Sequence, residues 1–153
     1  MINFIKATDL EFDKVINSRI EMLKVVNNLS DDAVFDEDFI NRTKEYFRSP
    51  YQTTILSVDN NEVIGCATIC YIKVMPTFDH PSGKRAHIMN VYTRKNNRRQ
   101  GIAFQMMKML IEEAKQRGVS EISLDATELG RQLYKKCGFL ESKEGMVLNI
   151  KSH

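Results

Sequence analysis

The sequence has few of the residues that mark several common protein classes. It has no tryptophan, three prolines and three histidines, and its three cysteines, Cys66, Cys70 and Cys137, include no Cys-x-x-Cys pair. An odd cysteine count without that pair favours free thiols in a reducing compartment, so we expect a cytoplasmic location. So small a number of histidines argues against a zinc site, and no metal is expected.

Long apolar runs and a strong net charge are also missing. No run approaches the roughly 18 residues of a membrane span, and the polar N-terminal segment is unlike a signal peptide. The net charge is only +2, which gives no support to a nucleic-acid or membrane partner. Apolar residues make up 42% and charged residues 27% of the chain, which is typical of one soluble domain spanning residues 1–153.

Hydrophobic periodicity predicts a mixture of strands and helices along the chain. Helices are predicted at about 9–27, 37–47, 101–117 and 128–136. Strands are predicted at 2–6, in a hairpin at 53–74, at 86–93, at 121–126 and in a last pair turning near 144–145. This order is that of a mixed α/β fold, in which the strand–helix–strand unit 86–126 predicts two parallel strands.

An acidic segment precedes the second predicted helix. Residues 31–38 hold five acids in eight positions. Acids in a first helical turn complement the helix dipole, which is the simpler interpretation. The alternative is an acidic rim that attracts a cationic substrate.

The segment RRQGIA, residues 98–103, joins the strand 86–93 to the next helix. Gly101 stands where that helix begins, although helix starts usually prefer Ser, Thr, Asp or Asn. The first helical turn leaves backbone N–H groups unpaired, and a phosphate binds them when no side chain screens them. Gly101 and the small Ala103 leave this backbone open, and arginines and a lysine add positive charge. The residues predict a phosphate or pyrophosphate site at 98–104; a purely structural basic loop is the alternative.

Three motifs in this order resemble those of the GNAT family of N-acetyltransferases. Arg98-x-x-Gly101-x-Ala103 is similar to the family's Arg/Gln-x-x-Gly-x-Gly/Ala motif, and MNVYT (89–93) resembles its central strand. LYKKCGF (133–139) is similar to its Leu-Tyr-x-Lys-x-Gly-Phe signature. The resemblance covers residues 2–150. It implies a single-domain GNAT fold, with a mixed, twisted sheet of six or seven strands, helices on both faces, and a fourth and a fifth strand that splay apart at one end.

The resemblance also implies acetyl-CoA as the acyl donor. The pantetheine arm would lie in the splay and pair with the main chain of Val91, Tyr92 and Thr93. The pyrophosphate would be held by the main-chain N–H groups of Arg99, Gln100, Gly101, Ile102, Ala103 and Phe104. Arg98 would brace the turn or reach a phosphate. Thr127 would cap the short helix and touch the pantetheine arm, and Arg131 would meet a CoA phosphate.

The chemistry implied by the family is direct attack of a primary amine on the thioester. The N–H of Val91 is expected to stabilise the developing oxyanion, and Tyr134 to protonate the leaving thiolate. From the residues alone, Tyr134 would be a packed aromatic of an amphipathic helix. No general base is evident in the sequence.

The candidates for contact with the acceptor are Glu21, His87 and Asn90. The ordinary alternatives are a solvated helix residue for Glu21 and structural strand residues for the other two. In a regular strand His87 and Asn90 would face opposite sides of the sheet. The expected acceptor is a small-molecule or amino-acid-like amine. A CoA-binding regulatory module with little turnover and the acylation of protein or tRNA remain alternatives, and a homodimer is an open alternative to a monomer.

Overall fold

The computed structural model describes residues 1–151, so residues 152 and 153 of the predicted domain lie outside the described part. In chain order the elements are β1 (Ile2–Lys6), α1 (Phe12–Val26), α2 (Glu37–Arg48), β2 (Gln52–Asp59), β3 (Glu62–Lys73), β4 (Lys84–Thr93), α3 (Ile102–Gln116), β5 (Glu121–Leu124) and α4 (Arg131–Lys136). Short 3-10 turns lie at Asp9–Glu11 and Lys95–Asn97. Among the described residues no helix is long and apolar enough to cross a membrane.

The five strands form one sheet in the order β1-β2-β3-β4-β5. Neighbouring strands from β1 to β4 are antiparallel, and β5 runs parallel to β4. A parallel neighbour requires a crossover, which α3 provides between β4 and β5. The sheet is therefore mixed, and the predicted mixed α/β class is confirmed.

Helices cover both faces of the sheet. On one side, called the α3 face, α3 buries Met106, Met107 and Leu110 against strand residues such as Ile69 and Ile88. On the other side, called the α1 face, a second cluster is made of Val15, Leu56, Val58, Cys66 and Tyr92. The apolar stripe predicted for residues 102–114 is the buried side of α3.

The acidic segment has a structural role at the start of α2. The Asp36 side chain accepts a hydrogen bond from the Phe39 N–H at 3.2 Å, and Glu37 and Asp38 lie in the first turn. These positions satisfy a free donor and complement the helix dipole. The simpler interpretation of the segment is thus the one the structure supports.

The end of the chain differs from the prediction. The described residues form five strands rather than six or seven, and residues 140–150 form no strand. This segment is exposed, with Val147 at 85% and Leu148 at 83%. A strand needs a neighbour to pair its backbone groups, and no described strand pairs with these residues, so a favourable composition does not suffice. The α4 helix also begins at Arg131 rather than near residue 128.

Candidate functional site

β4 is paired to β5 along only part of its length. Arg85 to Ile88 pair with Glu121 to Leu124, where β5 ends. Beyond Ile88, no strand within residues 1–151 pairs with β4 on this side. No described strand therefore covers this side of residues 89–93, called here the β4 edge, although the Thr93 carbonyl accepts a hydrogen bond from Arg98. The pairing of the two strands ends near the point where the resemblance predicts a splay.

A bulge interrupts β4 at the start of this edge. Thr68 of β3 pairs with Met89 and Cys66 pairs with Tyr92, so Asn90 and Val91 together oppose one β3 residue. Asn90 adopts the left-handed conformation, with φ of +62°. Its carbonyl accepts a hydrogen bond from the Cys66 thiol on β3 at 3.4 Å. Because a trans peptide directs its C=O and N–H oppositely, the N–H of Val91 points away from β3.

The bulge also changes which side chains share a face. Ile88 packs in the α3-face cluster, so His87 points to the α1 face. The Asn90 side chain bonds Arg19 of α1, so it lies on the α1 face as well. The opposite orientation expected for a regular strand is wrong here, because the inserted residue shifts the alternation by one position.

The helix α3 begins with an open first turn. Gly101 is the N-cap, with φ of 76° and ψ of 12°, and no side chain caps the helix. A Cβ added at Gly101 would have no heavy atom within 4 Å, so the turn is unscreened. The first helical hydrogen bond runs from the Gln105 N–H to the Gly101 carbonyl at 3.0 Å. The N–H groups of residues 102–104 therefore remain for a ligand.

The residues before this turn have distinct roles. The Arg98 side chain donates through Nε to the Thr93 carbonyl at 3.0 Å and so braces the turn against the end of β4. Arg99 has a positive φ of 65°, and both it and Gln100 are exposed. Of the two roles expected for Arg98, the structure places its side chain in the bracing one.

Two lysines that the sequence interpretation did not select lie near the first turn of α3. The Lys136 ammonium is 4.8 Å from the centre of the Phe104 ring, and that of Lys108 is 5.6 Å from it. They add positive charge beside residues 102–104, as an anion site requires. Lys136 lies in the LYKKCGF motif, but only the packing of α4 near α3 reveals its position.

Tyr134 is half-buried against the α3-face cluster. Its ring meets Phe139 edge-on at 6.2 Å, and a Cβ at Gly130 would lie 2.9 Å from its Cε2, so a larger residue at position 130 would displace the ring. Among residues 1–151 its hydroxyl has no hydrogen-bond partner. Burial, more than the neighbouring Cys137, raises the pKa of Tyr134, so the phenol keeps its proton at neutral pH.

Thr127 and Arg131 both make local contacts. The Thr127 hydroxyl accepts a hydrogen bond from the Gly130 N–H at 3.3 Å, so it orders the turn before α4 rather than the helix itself. Arg131 forms ion pairs with Glu128 and Glu141. Its guanidinium is thus already neutralised by two carboxylates.

Glu21 lies in an ion pair rather than free in a pocket. Arg94 donates to it through Nε at 2.9 Å and Nη2 at 2.7 Å, and Arg94 also bonds Glu62. The hydrogen bond from Arg94 holds the pKa of Glu21 below its ordinary value. The neighbouring Tyr92 has its pKa raised to about 12, first by burial and then by Glu21. A carboxylate held in this way is a weak base.

His87 lies where β4 and β5 part. Its Nδ1 is 2.8 Å from the Ser123 hydroxyl of β5, and its Nε2 is 3.7 Å from an Asp125 carboxylate oxygen. These contacts fix the ring at the mouth of the splay. In the described part of the chain no group of three or more His, Cys, Asp or Glu is arranged to hold a metal ion.

A buried polar network, called the α1-face network, links helix α1 to three strands. Arg19 donates through Nη1 to the Asn90 side-chain oxygen at 3.2 Å. The Asn90 amide donates to the Thr68 hydroxyl at 3.1 Å, and that hydroxyl lies 2.8 Å from the Thr54 hydroxyl. Sequence reasoning selected Asn90 but missed Arg19, because the two residues are 71 positions apart and no local pattern connects them.

Comparison with known proteins adds to this geometry. Residues 20–139, most of the chain, match the acetyltransferase (GNAT) family. A predicted acetyltransferase from Clostridium acetobutylicum, solved with acetyl-CoA, is 30% identical, with a TM-score of 0.84 over 97% of this chain and 96% of that one.

Two further similar proteins are named as glucosamine 6-phosphate N-acetyltransferases. A probable glucosamine 6-phosphate N-acetyltransferase 2 from Oryza sativa subsp. japonica is 33% identical over 66 residues. The match covers 43% of this chain and only 40% of that protein. The structure of glucosamine-6-phosphate N-acetyltransferase from Arabidopsis thaliana shares the fold, with a TM-score of 0.71 at 17% identity over 99% of both chains.

Proposed function

The chain belongs to the acetyltransferase (GNAT) family, and from this premise we propose that it transfers the acetyl group of acetyl-CoA to a primary amine. The acceptor is a small-molecule or amino-acid-like amine, which attacks the thioester directly in a ternary complex. One observation carries the proposal: the unpaired β4 edge leads into the open first turn of α3. A thioester arm and a pyrophosphate need such main-chain groups in that order.

The cofactor follows this strip of main chain. Pantetheine pairs with the β4 edge at Val91 and Thr93, and the pyrophosphate accepts hydrogen bonds from the N–H groups near Gly101. Arg98 holds the two parts in register through the Thr93 carbonyl. Lys136 supplies positive charge beside the phosphates, in place of Arg131, which two glutamates occupy.

The reaction needs an oxyanion donor, an acid and a base. The Val91 N–H faces the free side of β4 and stabilises charge on the thioester oxygen as the amine attacks. Tyr134 then donates its phenolic proton to the CoA thiolate, since burial keeps that phenol protonated. His87 takes the proton of the amine, because its ring is fixed at the splay and Glu21 is bound by Arg94.

The test is a turnover assay on the full chain with a panel of primary amines. Acetyl-CoA is supplied at saturation, product is measured by mass spectrometry, and acetyl-CoA affinity is measured separately by calorimetry. We expect acetyl-CoA binding and acetylation of at least one amine class. Tight binding with no turnover on any amine would instead establish a CoA-binding regulatory module. Turnover only on a protein or tRNA substrate would move the acceptor to a macromolecule.

A further inference from the structure

Four of the arginines are half-buried: Arg19, Arg85, Arg94 and Arg131. Three of them have carboxylate partners. Arg85 pairs with a glutamate of β5, and Arg94 and Arg131 each pair with two glutamates. Arg19 is the exception, since none of the ion pairs within residues 1–151 involves it. The chain thus neutralises its half-buried guanidinium groups everywhere except on α1.

The hydrogen bonds of Arg19 leave most of its donors free. Nη1 donates to the Asn90 side-chain oxygen at 3.2 Å and to the Met22 sulfur at 3.3 Å. A guanidinium group carries five N–H donors in a planar fork, and in the described part of the chain Nε and Nη2 of Arg19 have no acceptor. Nη1 is held in place by two acceptors, and the N–H groups of Nε and Nη2 are available to a ligand.

The groups around Arg19 do not balance its charge. The titratable side chains that act on the pKa of Arg19 are the thiols of Cys66 and Cys70, and burial raises the pKa of Cys66 to about 11. That thiol is neutral at physiological pH. Burial lowers the pKa of Arg19, but arginine starts so high that it stays charged. A partly desolvated cation without an anion is unfavourable, so the site is complete only when an anion arrives.

Arg19 is also close to the proposed reaction centre. Its hydrogen-bond partner Asn90 directly precedes Val91, whose N–H is proposed to hold the thioester oxygen. The rest of the α1-face network fixes Asn90, which is 5% exposed, against β3. His87 lies on the same face of β4. An anion on Arg19 would therefore lie on the face that holds the proposed base, and we assign it to the acceptor.

We propose that Arg19 binds an anionic group of the acceptor, so that the substrate is a primary amine that also carries a carboxylate or a phosphate. This inference rests on the proposed acetyltransferase function. The planar fork of arginine matches either group through two parallel hydrogen bonds. Asn90 and Met22 both accept from Nη1 of the guanidinium, which leaves Nε and Nη2 for the acceptor.

The experiment compares amines in matched pairs that differ only in the anion. One pair is an α-amino acid and its amide, and the other is glucosamine 6-phosphate and glucosamine. For each amine, kcat and KM are measured at saturating acetyl-CoA, and binding to the enzyme–CoA complex is measured by calorimetry, which needs no turnover. We expect the anionic member of at least one pair to be preferred at least tenfold in both measurements. The carboxylate and phosphate arms identify which anion it is.

The variants Arg19→Gln and Arg19→Lys connect that preference to the side chain. Arg19→Gln should raise KM for the anionic amine about 10- to 100-fold, leave kcat nearly unchanged, and leave the neutral amine unaffected. The KM of Arg19→Lys for the anionic amine should lie between the values of the parent and of Arg19→Gln. Arg42→Gln removes the same charge from an exposed position on α2 and should change neither value. Thermal unfolding of every variant verifies that it is folded.

The outcomes separate this inference from the proposed function. Turnover that is equal for both members of each pair would overturn the role of Arg19 while the acetyltransferase activity stands. An equal loss of turnover on the neutral and the anionic amine in Arg19→Gln would overturn that role as well. If no amine is acetylated, a calorimetric preference for the anionic amine that Arg19→Gln removes would support the anion site, and the absence of that preference would overturn it.

Discussion

The two faces of the sheet differ in the side chains at their centres. Beneath the middle of α3 the core is apolar, and Met106, Met107 and Leu110 are completely buried. Polar contacts on this face lie toward the end of α3, where Glu113 bonds Tyr71 and Lys6. Beneath α1 the sheet carries buried polar groups, among them Asn90 and Thr68, that bond one another and Arg19. Strand β4 contributes to both faces, with Ile88 in the apolar cluster and Asn90 among the polar groups.

The difference suggests a division of roles between the faces. Side chains on the α3 face mainly supply hydrophobic stabilisation. The β4 edge and the first turn of α3 offer a ligand mainly main-chain groups. Such groups recognise a cofactor common to a whole family, since they depend on backbone shape. The α1 face uses side-chain hydrogen bonds, which can be changed residue by residue. Acceptor choice is therefore expected to reside there.

The largest effect is expected from Gly101→Asp. A carboxylate at the open turn would lie against the pyrophosphate, and two like charges about 4 Å apart repel by about 4 kcal/mol near a protein surface. Acetyl-CoA affinity, measured by calorimetry, should fall about a thousandfold while the protein stays folded. Gly118→Asp places the same residue at an equal φ of 76° but at the far end of α3, and should leave the affinity unchanged. Unchanged acetyl-CoA affinity in Gly101→Asp would show that the pyrophosphate does not bind at this turn.

Leu110→Ala tests the stabilising role of the α3 face. Leu110 has no exposed surface, so its truncation leaves a cavity and should lower the free energy of unfolding by about 3 kcal/mol. Urea denaturation measures the loss, and the preference among amines should stay as in the parent. The control Leu140→Ala removes a side chain that is 91% exposed and should cost little. A changed acceptor preference in Leu110→Ala would contradict the assignment of acceptor choice to the α1 face alone.

Tyr134→Phe tests the single side chain that the α3 face contributes to the chemistry. Loss of the acid should lower kcat about a hundredfold, with the KM for acetyl-CoA unchanged. Stability should hardly change, because the hydroxyl has no bonding partner in residues 1–151. Tyr51→Phe, at an exposed tyrosine, is the matched control. An unchanged kcat in Tyr134→Phe would show that the hydroxyl is not the acid and that Tyr134 has only a packing role.

The smallest effect is expected from Thr68→Val on the α1 face. Valine keeps the shape but leaves the Asn90 amide and the Thr54 hydroxyl without a shared partner. The free energy of unfolding should fall by about 1–2 kcal/mol, and the acceptor KM should rise a few-fold as Asn90 loses its anchor. Thr68→Ser keeps the hydroxyl and should preserve KM. If both variants alter KM equally, the network does not position the acceptor site.

The sequence predicts most of the elements because their signals are local. The helical stripe of α3, the hairpin around residues 59–61 and Gly101 at the helix start all depend on neighbouring residues. The same holds for the family motifs, which lie in short segments. The last pair of strands is wrong because strand formation needs a partner, and residues 140–150 find none among the described residues.

The acceptor side was less predictable because its contacts join distant segments. Arg19 meets Asn90 and Glu21 meets Arg94 across more than 70 positions. The bulge at Asn90 has no sequence signal apart from an asparagine, which tolerates a positive φ. One extra residue in β4 then places His87 and Asn90 on the same face. Regular alternation assigns them to opposite faces.

On the proposed binding mode, the β4 edge is uncovered when acetyl-CoA is scarce. An unpaired strand is a template to which a foreign strand can add, and thus a starting point for aggregation. On the proposed binding mode, acetyl-CoA covers that template and acts as a removable protective strand. A ligand at a hundred times its dissociation constant stabilises the folded state by about 2.7 kcal/mol. Storage and handling of the enzyme would then depend on cofactor supply as much as on temperature.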